Sequence, residues 1–598
     1  MELKPKADTI VEVLLALEDC TRYGARFISK GEEPTYYTYE EVIKRAKSVA
    51  GTLQAGGLKQ GDRVGIILPT SIHFLDVFLG TQLAGGIPSA LYPPVRLGRL
   101  AEYFQRTRRM LDKVGTRFLV TDSRIKKLLG PVVEDVECLE GVLNVEKLLT
   151  DAKWTPPRET DPDTPAFLQF SSGTTVEPKA VTVSHTNLLY NLEMMESVFR
   201  DYSEEYSRYG GVCWLPLYHD MGLVGCMYNG IYHPGNVTYI SPEIFIARPR
   251  IWLRTLSKYK AVISPAPDFA YGLCLKKIKD KDMEGVDLSN WEIALNGAEP
   301  INTDGMTQFC ERFAKWGFRA EYMTPVYGLA EAGLAVSFSD FRVKPVLTEF
   351  DRELLGEQGK AVPGKGRVLP SVGPPLPGVE VELRDEEDRA LPEGWVGRIM
   401  IQGPSITRGF YNDLETTSKT IRDGWLDTGD LGFFHKGDLY IAGRAKDLII
   451  IRGRNYAPQE IEELVQDVEG LRLGCAVAVS HMTATEGEQL IVLAEKEARS
   501  QRSAEEIAEE IQDRVVSGIS LTPYHVQILD PGTLPRTSSG KMRRAGALNM
   551  FLTGELLPPE KMGVLKMFKE VGKSQLAWGR FWLNKRRGSP SGEGSPGD

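Results

Sequence analysis

Between Phe170 and Ser184 the chain reads FSSGTTVEPKAVTVS. Ser171, Ser172, Gly173, Thr174 and Thr175 stand ahead of Lys179. Small residues let backbone N–H groups approach phosphate oxygens, hydroxyls donate, and a lysine supplies charge. Wrapping a polyphosphate is the chemistry open to such a loop. The spacing is not GxxxxGK followed by Ser or Thr, and no GxGxxG follows a strand. A Ser/Thr-rich surface loop has the same composition.

Five further groups carry reactive side chains. His219 and Asp220 follow an apolar run, where an open α/β sheet places ligands; a buried histidine satisfied by its neighbour reads the same way. Asn296-Gly297-Ala298-Glu299-Pro300 has a glycine that lets a flat ring approach backbone. Tyr327-Gly328-Leu329-Ala330-Glu331 offers an aromatic face and a carboxylate suited to magnesium beside phosphates, or to a helix start. Asp430, in Trp425–Gly432, reads as a turn residue whose carboxylate can accept two ribose hydroxyls. Lys541 ends the loop Pro535–Lys541, where plain solvation is the alternative.

Alternating elements must position these groups. Thr38 and Glu41 predict a capping box, and Val42, Ala46, Val49, Ala50 and Leu53 predict a helix ending at Gly56-Gly57. Strands are predicted at Val64–Leu68, Ile87–Leu91 and Phe118–Thr121, with a helix at Ile72–Leu83 between the first two. Strand Ala166–Phe170 enters the loop and helix Asn187–Phe199 follows it. Short strands are then expected at Val212–Leu217, Ala261–Ser264 and Ile293–Asn296. The alternation implies βαβ units and a largely parallel sheet.

Ser339–Val372 lacks periodicity and reads as an insertion or irregular subdomain. Val379–Leu383 and Arg398–Gln402 predict a small β-rich subdomain. Beyond Arg444–Asp447 the pattern restarts as helix Pro458–Val468, strands Cys475–Val479 and Gln489–Ala494, helix Ala504–Val516 and strand His525–Leu529. That is a compact α+β unit.

The 598 residues suggest about three to four domains. A net charge of −9 argues against wholesale nucleic-acid binding. The seven cysteines form no CxxC pair, which argues against a zinc site or disulfide framework and for a reducing compartment. No signal peptide or membrane span is read, so a cytoplasmic enzyme is expected. Lys561–Arg587 holds eight Lys/Arg and one Glu among aromatics. It suits either a basic amphipathic helix on a membrane surface or acidic partner, or a terminal helix docked by its aromatics. Gly588–Asp598 is Gly/Ser/Pro-rich and is expected to be disordered.

From about Thr38 to Lys541 the order and spacing of these motifs resemble the adenylate-forming superfamily of acyl-CoA synthetases, luciferases and peptide-synthetase adenylation domains. Within it the chain looks like a fatty acyl-AMP ligase. The residues that carry this are Leu91-Tyr92-Pro93-Pro94, Trp214–Leu223 (WLPLYHDMGL), Asn296–Pro300, Tyr327–Ala332 and Asp447–Ile451 with Gly453–Glu462. Ser339–Val372 sits where those ligases carry an insertion associated with passing on acyl-adenylate instead of making acyl-CoA.

The resemblance implies an α/β fold. A large N-terminal domain, 1–443, would hold two βαβ-type mixed sheets and a small β-rich subdomain (about 373–443), with the insertion at about 339–372. A small mobile α+β C-terminal domain, 444–560, would follow a hinge at 444–447, and 561–598 would be a tail. Ser171 to Thr175 and Lys179 match the phosphate loop. Asn296, Gly297, Ala298, Glu299, Tyr327, Gly328 and Leu329 match the adenine pocket. Glu331 matches the magnesium ligand, with Thr175 beside it, and Asp430 and Arg444 match the ribose contacts. Lys446 falls at the hinge, Lys541 at the catalytic lysine, and His219 at the boundary of the acyl and nucleotide pockets.

The cofactors implied are ATP and Mg²⁺, and the partners a medium- or long-chain fatty acid and an acyl carrier protein. The loop departs from the usual TSGSTG-x-PKG pattern at Ser171, Thr174, Val176 and Ala180, and Asp268 stands where Asn is familiar. An acyl-CoA synthetase and a catalytically silent acyl-adenylate or ATP binder are the rival readings.

Overall fold

The computed structural model describes residues 3–94, 97–158, 160–171, 178–199, 210–451, 454–483, 487–537, 541–559 and 564–588. Two mixed sheets form the N-terminal domain. A six-stranded sheet runs in the order 141–144, 118–121, 63–67, 87–90, 165–170, 180–184, parallel until its last pair. An eight-stranded sheet is parallel at its centre and antiparallel at both edges. Both parallel centres have the nearly unbroken apolar strands of sheets covered on two faces.

Helix Ile72–Leu83 is buried on nearly all sides, which is why its sequence shows little polar face. Its Phe78 ring meets Phe167 of the six-stranded sheet and Tyr228 of the helical run Leu223–Tyr228, both at 6.1 Å. Helix Tyr39–Ala55 packs against it and carries the expected Thr38–Glu41 capping box. A Cβ at Gly80 would lie 2.8 Å from the Ala46 carbonyl, so only glycine permits this helix contact.

An antiparallel five-stranded sheet, 380–384 to 438–444, makes the β-rich subdomain. The C-terminal α+β unit has a three-stranded sheet with helices Pro458–Val465, Ala504–Ile519 and Arg544–Leu552. Among the described residues no helix is long and apolar enough to cross a membrane.

Four expectations change. The strand expected at Val212–Leu217 stops at Cys213, and Trp214–Leu217 leaves the ladder. The His219 amide instead bonds the Pro216 carbonyl, at 3.2 Å, in a turn. Trp425–Gly432 is not a tight turn but part of strand Trp425–His435, bulged opposite Arg398–Met400. The Ser339–Val372 stretch is not irregular throughout: Leu347–Asp351 and Gly366–Pro370 pair antiparallel around a short helix, Arg352–Glu357. The second C-terminal element, expected as Cys475–Val479, is a longer strand, Leu471–Thr483.

The tail forms helix Val564–Gly588, docked on the large domain. Phe581 enters the core beside Val133 and Leu139, and Trp578 Nε1 donates to the Lys126 carbonyl at 3.1 Å.

Candidate active site

One cavity of about 1480 Å³ lies where the large domain, the β-rich subdomain and the C-terminal unit meet. Ser171 and Lys179 reach it from the loop between strands 165–170 and 180–184. The Ser171 amide donates to the Lys179 carbonyl at 3.0 Å and closes the loop's base. Ser172, Gly173, Thr174 and Thr175 lie outside the described residues. Burial pushes the Lys179 ammonium below the usual lysine range; Lys446 lowers it further, and Glu331 opposes them. Lys446, expected as a hinge, therefore also presents its charge to Lys179 and the loop that carries it.

Asp430 lies directly across from Arg444 in the strand register. Arg444 Nε donates to Asp430 Oδ1 at 2.9 Å, and Tyr327 Oη donates to Oδ2 at 2.8 Å. The Asp430 charge raises the Arg444 pKa, against the opposing effect of burial. A carboxylate held at both oxygens is fixed in orientation and keeps lone pairs for further hydroxyls.

Tyr327, Gly328 and Leu329 line the cavity, as do Ala298 and Glu299. Asn296 and Gly297 stand behind the wall instead. Asn296 Nδ2 donates to Asp268 Oδ1 at 3.0 Å. A Cβ at Gly297 would meet Val326 at 2.7 Å, so only glycine permits this close strand packing. Glu299 Oε1 accepts the Phe269 amide at 2.7 Å, tying the two loops together. Ala298 holds φ +67, a left-handed conformation rare for residues with a Cβ.

Glu331 sits on a 3₁₀ turn facing the cavity. Burial raises its carboxyl above the usual range; Asp220 and Asp430 add to this and Arg444 opposes it. Among the described residues no three His, Cys, Asp or Glu side chains are grouped to hold a metal ion. A metal here would therefore take Glu331 plus oxygens of a bound phosphate chain, the usual arrangement for magnesium.

His219 Nδ1 lies 2.5 Å from Asp220 Oδ1. The pair opens a short helix six residues beyond its strand, so it reaches the cavity from a turn. Burial alone would raise the Asp220 pKa; the His219 charge and hydrogen bond outweigh it, with help from Lys541, and hold it low.

Lys541 lies in the same cavity and is not simply solvated. Its loop is closed on itself: the Thr537 amide donates to the Lys541 carbonyl at 2.8 Å, and the Lys541 amide to Thr537 Oγ1 at 3.1 Å. Burial lowers the Lys541 pKa; Asp220 and Glu299 counter this, and Arg444 adds to it. Arg544 opens the helix that follows and pairs with Glu462 at 2.6 Å and with Asp447 at 3.0 Å, the last residue of the expected hinge. Met195, Phe199, Leu273, Leu334 and Phe338 give the cavity an apolar wing.

Asp220 joins the predicted site residues; its signal in the sequence is its place beside His219. Nothing in the sequence marked Ala298 as left-handed.

The family model described as "AMP-binding enzyme" matches residues 18–411. The medium-chain-fatty-acid–acyl-carrier-protein ligase JamA of Moorena producens is 32% identical over 585 residues, covering 92% of this chain and 96% of that protein. The 4-hydroxyphenylalkanoate adenylyltransferase of Mycobacterium tuberculosis is 31% identical, covering 89% of this chain and 90% of that one. A solved chain from a study of fatty acyl-adenylate ligases of E. coli and L. pneumophila superposes with a TM-score of 0.85 at 33% identity, covering 92% of this chain and 98% of that one.

Proposed function

Because the chain belongs to the AMP-binding enzyme family, we propose that it activates a medium- or long-chain fatty acid with ATP and passes the acyl group to an acyl carrier protein. The observation that carries this is the convergence of Lys541, Lys179 and the Asp430–Arg444 pair on one cavity with an apolar wing. A nucleotide with its phosphates and a fatty carboxylate fit that division of polar and apolar wall.

A carboxylate oxygen forms a bond to the α-phosphorus of ATP, the bond to the bridging oxygen breaks, and pyrophosphate leaves. Both reactants are anions, so positioned cations carry the catalysis. Lys541 bridges the carboxylate and α-phosphate; Lys179 and Lys446 face the leaving phosphates. Asp430 accepts ribose hydroxyls, and Tyr327 walls the base. Glu331, with Thr175 as a second proposed ligand, would hold a magnesium ion, which would supply positive charge against the leaving pyrophosphate. Transfer follows when the carrier's phosphopantetheine sulfur bonds the acyl carbon, AMP leaves, and the thiol proton is released. A hinge at Lys446 would withdraw Lys541 for that step.

The insertion favours a carrier over coenzyme A as acceptor. Its helix bridges to the C-terminal unit, with Arg352 Nε 2.7 Å from Glu460 and Glu357 2.6 Å from Arg454 Nε. These partly exposed ion pairs bias the orientation of the C-terminal unit without locking it; the carrier step opens them, and the insertion's bulk beside the hinge disfavours the arrangement that would admit coenzyme A.

Product analysis with Mg-ATP and fatty acids of graded length, with and without coenzyme A and a phosphopantetheinylated carrier, tests the proposal. Acyl-AMP accumulating with coenzyme A ignored, and acyl transfer to the carrier, are expected. Deleting 347–370 should release coenzyme A thioester formation. Abundant acyl-CoA from the intact chain would move it to the synthetase branch, and no adenylate from any acid would leave a silent binder.

A further inference from the structure

The C-terminal helix uses one face to dock and leaves another bare. Ser574, Ala577 and Phe581 are buried against the segment 126–137. The Gly130 amide donates to Ser574 Oγ at 2.9 Å, and Arg580 pairs with Glu134 at 2.7 Å. The opposite side follows positions 568, 572, 576, 579 and 583, the i, i+4, i+8, i+11, i+15 spacing of one helix face. Phe568 is 73% exposed there, Leu576 70% and Leu583 56%, with Trp582 at the margin at 46%. Gly572 and Gly579 lie between them with open space above.

We propose that this face is a docking surface for the headgroup layer of an anionic lipid bilayer. Three observations choose that occupant. The first is charge. Residues 564–588 hold seven Lys/Arg and one Glu, in a chain whose net charge is −9. A local basic excess around an apolar stripe complements a negatively charged membrane surface.

The second is shape. The stripe is a single convex line, about 22 Å long at 1.5 Å per residue. It carries Phe, Leu and Trp side chains of the kind that settle at the headgroup boundary. The helix is already ordered by its docked face, so membrane contact does not have to fold it.

The third is position. The helix packs on the segment between strands 118–121 and 141–144, the outer two strands of the six-stranded sheet. The phosphate loop leaves strand 165–170 three to four places further along that sheet, roughly 14–19 Å away at strand spacing. A carrier protein delivering a thiol must dock at the cavity mouth. A bilayer, the reservoir of fatty acids, needs only to hold the enzyme nearby. Vesicle binding does not depend on the reaction assigned to the cavity, so this proposal and that one fail separately.

Co-sedimentation of the full chain with two kinds of vesicle is the test. One kind is phosphatidylcholine alone, the other equal parts phosphatidylcholine and phosphatidylglycerol. Binding to the anionic vesicles is expected, at least about tenfold weaker on phosphatidylcholine or in about 0.5 M salt. The exposed triple variant Phe568→Ser, Leu576→Ser, Leu583→Ser should partition at least about tenfold less, with an unchanged melting profile. Failure of the full chain to sediment with anionic vesicles overturns the proposal, as does a triple variant that binds like the parent. Loss of carrier-protein binding in the triple variant, with no vesicle binding by the parent, would make the face a protein contact and also overturn it.

Discussion

Arg444 and Asp430 face each other across two antiparallel strands, with Arg444 Nε donating to Asp430 Oδ1 at 2.9 Å. Arg444 is also the first residue of the expected hinge, so the group that fixes Asp430 sits where the C-terminal unit begins. Tyr327 holds the other carboxylate oxygen at 2.8 Å. Removing that hydroxyl frees one side of Asp430. Tyr327→Phe should raise the KM for ATP roughly tenfold, the worth of one hydrogen bond to a charged group, with kcat little changed. Asp430→Asn should cost more, since it also loses its ion pair with Arg444. Initial rates of pyrophosphate release against ATP concentration measure both, and an unchanged KM in both variants would remove the ribose role.

The proposed reaction uses Lys541 as a cation, and burial lowers its pKa. Adenylate formation should therefore decline with rising pH before the ordinary lysine pKa of about 10.4 is reached. Lys541→Arg stays charged and should move that decline upward. Lys541→Ala should lose on the order of 10²–10³ in rate, as other electrostatic stabilisers do, with an unchanged melting temperature. Near-normal acyl-AMP formation by the alanine variant would sink the assignment.

Asp268 gives a pH dependence of stability. Desolvation pushes its carboxyl up to about 7, against which the Asn296 hydrogen bond works. The unfolded chain titrates near 3.9. Between these values the folded chain keeps a proton that the unfolded chain has released, so stability falls as pH rises through that window. The contribution is fully present below about pH 4 and lost above about 7. Melting temperatures across this range should fall less in Asp268→Asn than in the parent. Parallel profiles in the two proteins would contradict the assignment.

Much of this was legible in residue order. The capping box at Thr38, helix Ile72–Leu83 and strands Phe118–Thr121, Ile293–Asn296 and His525–Leu529 follow from local pattern alone. What local pattern hid came from long-range pairing. Asp430 and Gly429 have turn chemistry, yet a neighbouring strand draws them into a bulged ladder. The Ser339–Val372 stretch has no period because its hairpin is short, and its helix leans on a different domain. Asn296 and Gly297 carry the pocket's motif but support it from behind, a distinction set by side-chain direction.

The docking of the C-terminal helix rests on two small residues, Gly130 and Ser574. A Cβ at Gly130 would lie 2.1 Å from the Ser574 carbonyl, too close for any side chain. Gly130→Ala should thus lift the helix from its seat. Phe581→Ala should loosen it too, since truncating a buried phenylalanine costs about 3–5 kcal/mol. Limited proteolysis should then cut the full chain near the start of the helix many times faster than in the parent. The cavity is built from other elements, so acyl-AMP formation should be retained. Equal protection of the helix in parent and both variants would mean that this contact does not hold it.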